Sequence, residues 1–273
     1  MRGMKLVLLA MLTLAAGGCA SQPRSYLALP IDAEGRLPSN PYVVERTTGR
    51  KHLAVIGTVH SSDPRDPMYS QIESIFERVK PQLVLHESSA PRQVPDDRGQ
   101  AIRNGGGIGL SAYLARKHGA VLRSGDAPER DEFAALLRAY PAEVVLVFLT
   151  GQRLLGGYDP DLKSIAEEYP GFFSEYLVAN GLPSQPGWDT WDGFLRAYES
   201  VMGSELSSAG WDPDLVSPIR DRGKLTEVAR FASEYRDSRL LEAIREGLEE
   251  HDRVVVVFGG WHVLALEPVI ENP

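Results

Sequence analysis

The sequence predicts an α/β fold, with a mostly parallel central sheet flanked by helices and carrying a helical insertion. Two aliphatic runs, Leu53-Ala54-Val55-Ile56 and Val254-Val255-Val256-Val257-Phe258, are rich in the β-branched residues that suit a pleat covered on both faces. Between them, strand-like and helix-like periods alternate in the order of β-α-β units with right-handed crossovers. Each run leads into a glycine-histidine turn, Gly57-Thr58-Val59-His60 and Gly259-Gly260-Trp261-His262. Neighbouring strand ends of an open α/β sheet form the crevice where ligands bind, so this repeated context is expected to bring two distant histidines together.

The leader places Arg2 and Lys5 ahead of the apolar run Leu6 to Ala16 and then Gly17-Gly18-Cys19. This is the layout of a bacterial lipoprotein signal peptide over residues 1–18, and the run is too short to span a bilayer. Cys19 is the only cysteine, so an internal disulfide is impossible and lipidation is the expected fate of Cys19. Ala16 stands where such sites usually carry leucine, and an ordinary secretory signal is the alternative. Acyl chains such as palmitate would hold the protein at a membrane surface. By resemblance to Gram-negative lipoproteins, Ala20 in place of an aspartate favours the outer membrane, facing the periplasm.

Residues 19–50 carry Pro23, Pro30, Pro38 and Pro41 without a sustained period, and read as the lipidated cysteine followed by a flexible tether. Residues 51–273 read as one domain. Tyr69 to Val79 sets Ile72, Ile75, Phe76 and Val79 on one helical face, Pro81 ends that helix, and Gln82 to Glu87 reads as the next strand. The glycine-rich stretch Arg98 to Gly109 matches neither the dinucleotide fingerprint nor the P-loop and reads as a loop. Leu110 to His118 suggests a helix, and Ala120 to Arg123 a third strand ending at Ser124-Gly125-Asp126. Pro141 to Leu155 fits either a strand or a helix, with helix favoured by its length and its proline at a first turn. From about 156 to 223, Trp188, Trp191, Trp211 and several proline-glycine breaks suggest a helical insertion covering the sheet rather than a second core. Leu225 to Leu248 restores helical periodicity ahead of the final strand.

With 273 residues, 43% hydrophobic and 24% charged, the composition is that of a globular protein with one sizeable core. The formal charge of -8 becomes -10 once Arg2 and Lys5 leave with the leader, and no basic stripe is present. Nucleic acid is therefore not an expected partner, since phosphate neutralisation supplies much of that affinity. A peptide or small-molecule substrate is expected instead.

Side chains alternate along the Gln82 to Glu87 strand, which sets Glu87 with Leu83 and Leu85 on one face and at an exposed strand end. His60, Glu87 and His262 then make a set of two imidazoles and one carboxylate, of the kind that holds zinc or another divalent ion with an open position for water. Such an ion lowers the pKa of bound water to roughly 7 and starts amide or ester hydrolysis. For either histidine alone, a hydrogen-bonded structural role is the alternative. Arg236 is read as a clamp for a substrate carboxylate or a developing oxyanion, and Asp237 as a group that orients a histidine. A solvated surface pair is the competing reading. Asp126 and Arg153 are weaker candidates. Trp261 reads as a buried aromatic before a ligand-stacking one, and Glu267 is expected to face away from His262. Ser61 and Ser62 follow His60, yet the GxSxG elbow of a serine triad is missing. His86-Glu87-Ser88-Ser89-Ala90 lacks the second histidine of the helical zincin motif.

Four segments together resemble the TraB/Tiki superfamily: Ile56-Gly57-Thr58-Val59-His60-Ser61-Ser62, Leu85-His86-Glu87, Arg236-Asp237-Ser238-Arg239-Leu240-Leu241 and Val257-Phe258-Gly259-Gly260-Trp261-His262-Val263. That group is related more distantly to erythromycin esterase-like and ChaN-like proteins. The resemblance spans roughly Leu53 to Ile270 through its motifs and is poor between Gly156 and Gly223. It implies an α/β fold with His60, Glu87 and His262 clustered at the site, Arg236 in support, and manganese or cobalt as cofactor, beside the zinc that the residue set itself allows. Gly125-Asp126 is similar to a family segment that usually reads Gly-Glu-Pro, so Asp126 departs from the pattern. The expected function is a metal-dependent hydrolase, peptidase-like or esterase-like, anchored in the cell envelope. The alternative is a non-catalytic haem- or metal-binding lipoprotein of ChaN-like type.

Overall fold

The computed structural model describes residues 21–88, 94–156, 162–206 and 211–271. The leader and Cys19 lie outside the described residues. A sheet of five strands forms, β1 (Tyr42–Thr48), β2 (Lys51–Thr58), β3 (Leu83–His86), β4 (Val121–Ser124) and β5 (Arg253–Gly259), in the order β1-β2-β5-β3-β4. β1 is an antiparallel edge strand, and the other four run parallel. The two aliphatic runs of the sequence are thus the adjacent central strands β2 and β5, with Ile56 opposite Val257.

Both faces of these strands are covered, as their unbroken aliphatic character requires. Ala54, Ile56, Val84, Val255 and Val257 pack against α1 (Pro67–Val79) and α2 (Arg98–His118) on one side. Leu53, Val55, Leu85, Val254 and Val256 pack against α7 (Lys224–Glu250) and α8 (Gly260–Glu271) on the other. Helix α1 starts on an Asp66 side chain that accepts from the Met68 N–H, with Pro67 in the first turn, and stops at Lys80 in a left-handed cap.

The stretch 98–109, expected as a loop, is helical and opens α2. Asp97 caps it by accepting from the Gln100 N–H at 2.7 Å. The glycines cost helix propensity, but Ala101, Ile102, Leu110 and Leu114 are fully buried, and that burial outweighs the local preference. The helix kinks at Gly106 (φ 53), where a side-chain carbon would stand 2.9 Å from the Ser61 carbonyl oxygen.

The insertion is larger than the expected 156–223 and has a core of its own. It comprises α3 (Glu129–Ala139), α4 (Ala142–Thr150), α5 (Leu162–Phe172), α6 (Trp191–Met202) and the first half of α7. Phe133, Leu146, Phe148, Phe194 and Val228 meet there, away from the sheet. α4 is apolar all round because it is buried all round, which also resolves the strand-or-helix ambiguity over 141–155. α7 runs 27 residues through both cores, burying Leu225, Val228 and Ala232 in the insertion and Leu240 and Ile244 against the sheet.

From residue 21 onward, the expected tether is part of the fold. Tyr26 and Leu29 are buried against Leu264 and Ala265 of α8, and the Arg24 N–H donates to the Ala265 carbonyl at 2.7 Å. Residues 42–48 form β1 and close the sheet edge. The prolines that suggest a linker are compatible with an extended arm laid over apolar surface.

At the tops of β2 and β5 the two glycine turns touch, since a side-chain carbon on Gly57 would lie 2.9 Å from the Gly260 α-carbon. Neither backbone can yield there without shifting β2 or α8. Gly57→Ala is therefore expected to cost about 1–3 kcal/mol of stability by overpacking, measured by denaturant unfolding, whereas Gly49→Ala, with open space around it but φ 60, should cost less than Gly57→Ala.

Candidate active site

The carboxyl ends of the parallel strands carry the site. Thr58 at the end of β2 stands opposite Gly259 at the end of β5, which sets His60 and His262 on either side of one crevice. The Glu87 N–H donates to the Val257 carbonyl at 3.2 Å, and the Gly125 N–H to the His86 carbonyl at 2.9 Å, so Glu87 and Asp126 top the next two strands. A cavity of about 320 Å³ is lined by His60, Glu87, Ser233, Arg236, Trp261 and His262, among others. A second, of about 450 Å³, adjoins it through Thr58, Val59, His60 and Glu87 and reaches the kink of α2.

Arg236 projects from the middle of α7 and forks between two carboxylates. Its Nη2 donates to Glu87 Oε1 at 2.5 Å and to Asp126 Oδ2 at 2.6 Å, and its Nε donates to Asp126 Oδ1 at 2.8 Å. The other Glu87 oxygen accepts from the Gly259 N–H at 2.6 Å. Burial alone would raise the Glu87 pKa, but the Arg236 charge, the nearby His262 and the hydrogen bonds from Arg236 and Gly259 prevail and hold it at about 2. For Arg236, burial opposes the charge, and the hydrogen bond to Asp126 with the charges of Glu87 and Asp126 drives its pKa well above the ordinary guanidinium value. The guanidinium also lies 5.8 Å from the Phe258 ring centre.

His262, in the first turn of α8, is anchored from behind. Its Nδ1 is 2.6 Å from Asp237 Oδ1 and 2.7 Å from the Tyr26 hydroxyl, which donates to Asp237 Oδ2 at 2.9 Å. With a carboxylate as its nearest partner, Nδ1 is assigned the proton, and Nε2 then presents a lone pair to the cavity side. Arg236 Nη1 stands 3.5 Å from that nitrogen. Phe258 meets the imidazole edge to face at 5.3 Å. Burial, then the Asp237 charge and hydrogen bond, raise the Tyr26 pKa well above the phenol value, so Tyr26 is a donor throughout the neutral range.

Of the residues expected from sequence, the fold brings His60, Glu87, His262 and Arg236 to one cavity, with Asp126 hydrogen-bonded to Arg236. Asp237 sits behind His262, 2% exposed, where it orients the ring. Arg153 is not in the cavity. It pairs with Glu132 Oε2 at 3.3 Å in the helical layer, where burial raises the Glu132 pKa against the opposing charge of Arg153. Its neighbour Gln152, on a π-helical turn that continues α4, lines the cavity instead. Arg236-Asp237 is no surface pair, because both side chains turn inward from α7 and are largely buried. Glu267 faces away from His262, toward Arg24 and Tyr42. Trp261 is half-buried and donates to the Gly35 carbonyl at 2.9 Å.

The expected metal set takes a different form. Both Glu87 oxygens already accept hydrogen bonds, and among the described residues no group of three or more His, Cys, Asp or Glu side chains converges on one point. Sequence reasoning also missed Tyr26, an aromatic in a proline-rich stretch with no periodic signal around it.

No family model matches the chain, and no curated protein sequence does. Its likeness to the TraB/Tiki group therefore rests on the four motif segments alone.

A carboxylate whose folded pKa is held down stabilises the fold above its unfolded pKa, roughly 4.3, and that stability is lost as the pH falls toward the folded value. The unfolding free energy of the wild type relative to Glu87→Gln is expected to shrink by roughly 3 kcal/mol between about pH 5 and pH 2. A difference that does not change with pH across that window would contradict the ion-pair assignment.

Proposed function

We propose that the cavity hydrolyses an amide or ester bond, with His262 as general base. The observation that carries this reading is the imidazole's orientation: Nδ1 is fixed by Asp237 at 2.6 Å and by Tyr26, while Nε2 has only the long 3.5 Å contact to Arg236 Nη1 among the described residues. A base held in one tautomer by a buried carboxylate is the arrangement general-base catalysis needs. A water in the cavity gives its proton to His262 Nε2 and attacks the carbonyl carbon. The developing oxyanion takes a hydrogen bond from Arg236 Nη1, the guanidinium nitrogen not engaged by a carboxylate. His262 then returns the proton to the departing amine or alcohol, leaving an acid and a free leaving group. His60, on the opposite wall, is exposed and unpartnered among the described residues, and it is suited to contact the substrate.

A second reading keeps a divalent cation, manganese, cobalt or zinc, on His60, Glu87 and His262. It is favoured by charge, because the carboxylates of Glu87 and Asp126 share the single guanidinium of Arg236. As arranged, the donors do not fit a cation: Arg236 occupies Glu87 and faces His262 Nε2, so a cation needs Arg236 displaced. The steps above use the chain's own groups. The proposed setting is the cell envelope, with Cys19 lipidated. Among the described residues, no helix is long and apolar enough to cross a membrane. The relation to the TraB/Tiki group is likewise proposed, supported by His60, Glu87, Arg236 and His262 sharing one crevice.

A panel of fluorogenic esters and N-acyl amides tests the reading. His262→Ala is expected to lower kcat/KM by about 10²–10⁴ with the fold intact, and Tyr26→Phe to lower it less. Full activity in His262→Ala would remove the general-base assignment. Activity that chelation abolishes and manganese, cobalt or zinc restores would install the cation reading in its place.

A further inference from the structure

At the amino ends of the parallel strands, away from the histidines, a separate cavity of about 340 Å³ opens between β1, the start of β2, the C-terminal half of α7 and the end of α8. Leu53 in its wall precedes Thr58 at the other end of β2 by roughly 17 Å at the rise of a strand. The cavity is thus independent of the candidate active site. Its walls are aliphatic, with Leu241, Ile244 and Leu248 from α7 facing Val269 and Ile270 from α8. Leu53, Ile244 and Ile270 belong to the core between the sheet and these helices, so the cavity cuts into that core.

The charged residues in the lining are all cations, Arg46, Lys51 and Arg245. Lys51 is paired with Asp252 at 3.2 Å. Among the described residues, Arg46 meets only neutral acceptors, the Thr48 hydroxyl at 3.2 Å and the Ile270 carbonyl at 3.1 Å. Arg245 is exposed and has no carboxylate partner among the described residues. On a chain of formal charge -8, most of whose arginines are matched to acids, two unmatched guanidiniums beside an aliphatic cavity are a specific arrangement. Water hydrates the apolar walls poorly, and a buried tail would relieve that cost. A guanidinium prefers a planar carboxylate that accepts two parallel hydrogen bonds.

We propose that this cavity binds a single-chain fatty acid anion, with its aliphatic tail between α7 and α8 and its carboxylate held by Arg46 and Arg245. A cationic amphiphile of the same chain length is repelled, and a neutral one leaves the guanidiniums unmatched. The volume is within the range of pockets that take small ligands.

The test uses the full chain in phosphatidylcholine vesicles and a diazirine-bearing analogue of dodecanoate, with the photolabelled peptides identified by mass spectrometry. The label is expected between Leu241 and Leu248, competed by dodecanoate and not by dodecyltrimethylammonium. In Arg46→Glu/Arg245→Glu the labelling should weaken about tenfold, the size expected for loss of charge-assisted hydrogen bonds. Leu241→Trp, which fills the cavity without altering the charges, should abolish it while the thermal unfolding midpoint stays near that of the wild type. Labelling spread evenly over the chain, equal competition by the cationic amphiphile, or undiminished labelling in Leu241→Trp would each overturn the proposal.

Discussion

The fork of Arg236 between Glu87 and Asp126 is the contact on which the rest depends. α7 passes through two separate cores, and Arg236 lies at the crossing, where the helix leaves the insertion and meets the strand ends. A buried ion pair of this kind adds little net stability compared with apolar residues of the same volume, because desolvating the charges costs nearly what their attraction returns. Its specificity is another matter. Once Glu87 and Asp126 are buried, every alternative docking of α7 that moves the guanidinium leaves two carboxylates facing each other, a cost of about 3–5 kcal/mol. The register of α7 is fixed in this way, and with it the position of Asp237 behind His262.

The two glycine-histidine turns look alike in sequence and end in different environments. Gly57 leads to a residue beyond the end of β2, where His60 is exposed on the crevice wall. Gly260 begins α8, so His262 falls in a first helical turn and is held by Asp237 and Tyr26. Sequence symmetry therefore points to the crevice without revealing that, among the described residues, only His262 is anchored. The metal expectation treats the two as equivalent, whereas His262 has buried partners in Asp237 and Tyr26 that His60 lacks among the described residues.

The parts legible in the sequence are those governed by local burial. β2 and β5 declare themselves as unbroken aliphatic runs because both of their faces are covered, and Glu87 was placed at a strand end by simple alternation. The illegible parts depend on long-range partners. Tyr26 meets Asp237 and His262 across separations of 211 and 236 residues, and nothing near it signals that destination. The helical opening of α2 was hidden for a related reason: its glycines predict a loop, and only packing on the sheet overrides them. The second core escaped detection because α4, apolar on all sides, has no amphipathic face to show where it packs.

β2 is hydrogen-bonded to β5, and Thr58 reaches the Phe258 carbonyl across 200 residues of chain. Because β5 lies between β2 and β3, these early strands have no mutual ladder of their own. During synthesis, a chain emerging from its amino end can pair β1 with β2 and β3 with β4, but these two halves of the sheet have no strand to join them until β5 appears. The insertion, with its own core, has a route to collapse meanwhile, and the complete sheet does not. The histidine crevice is consequently among the last features to exist, assembled in one step as β5 slides between its neighbours and carries His262 up to Tyr26.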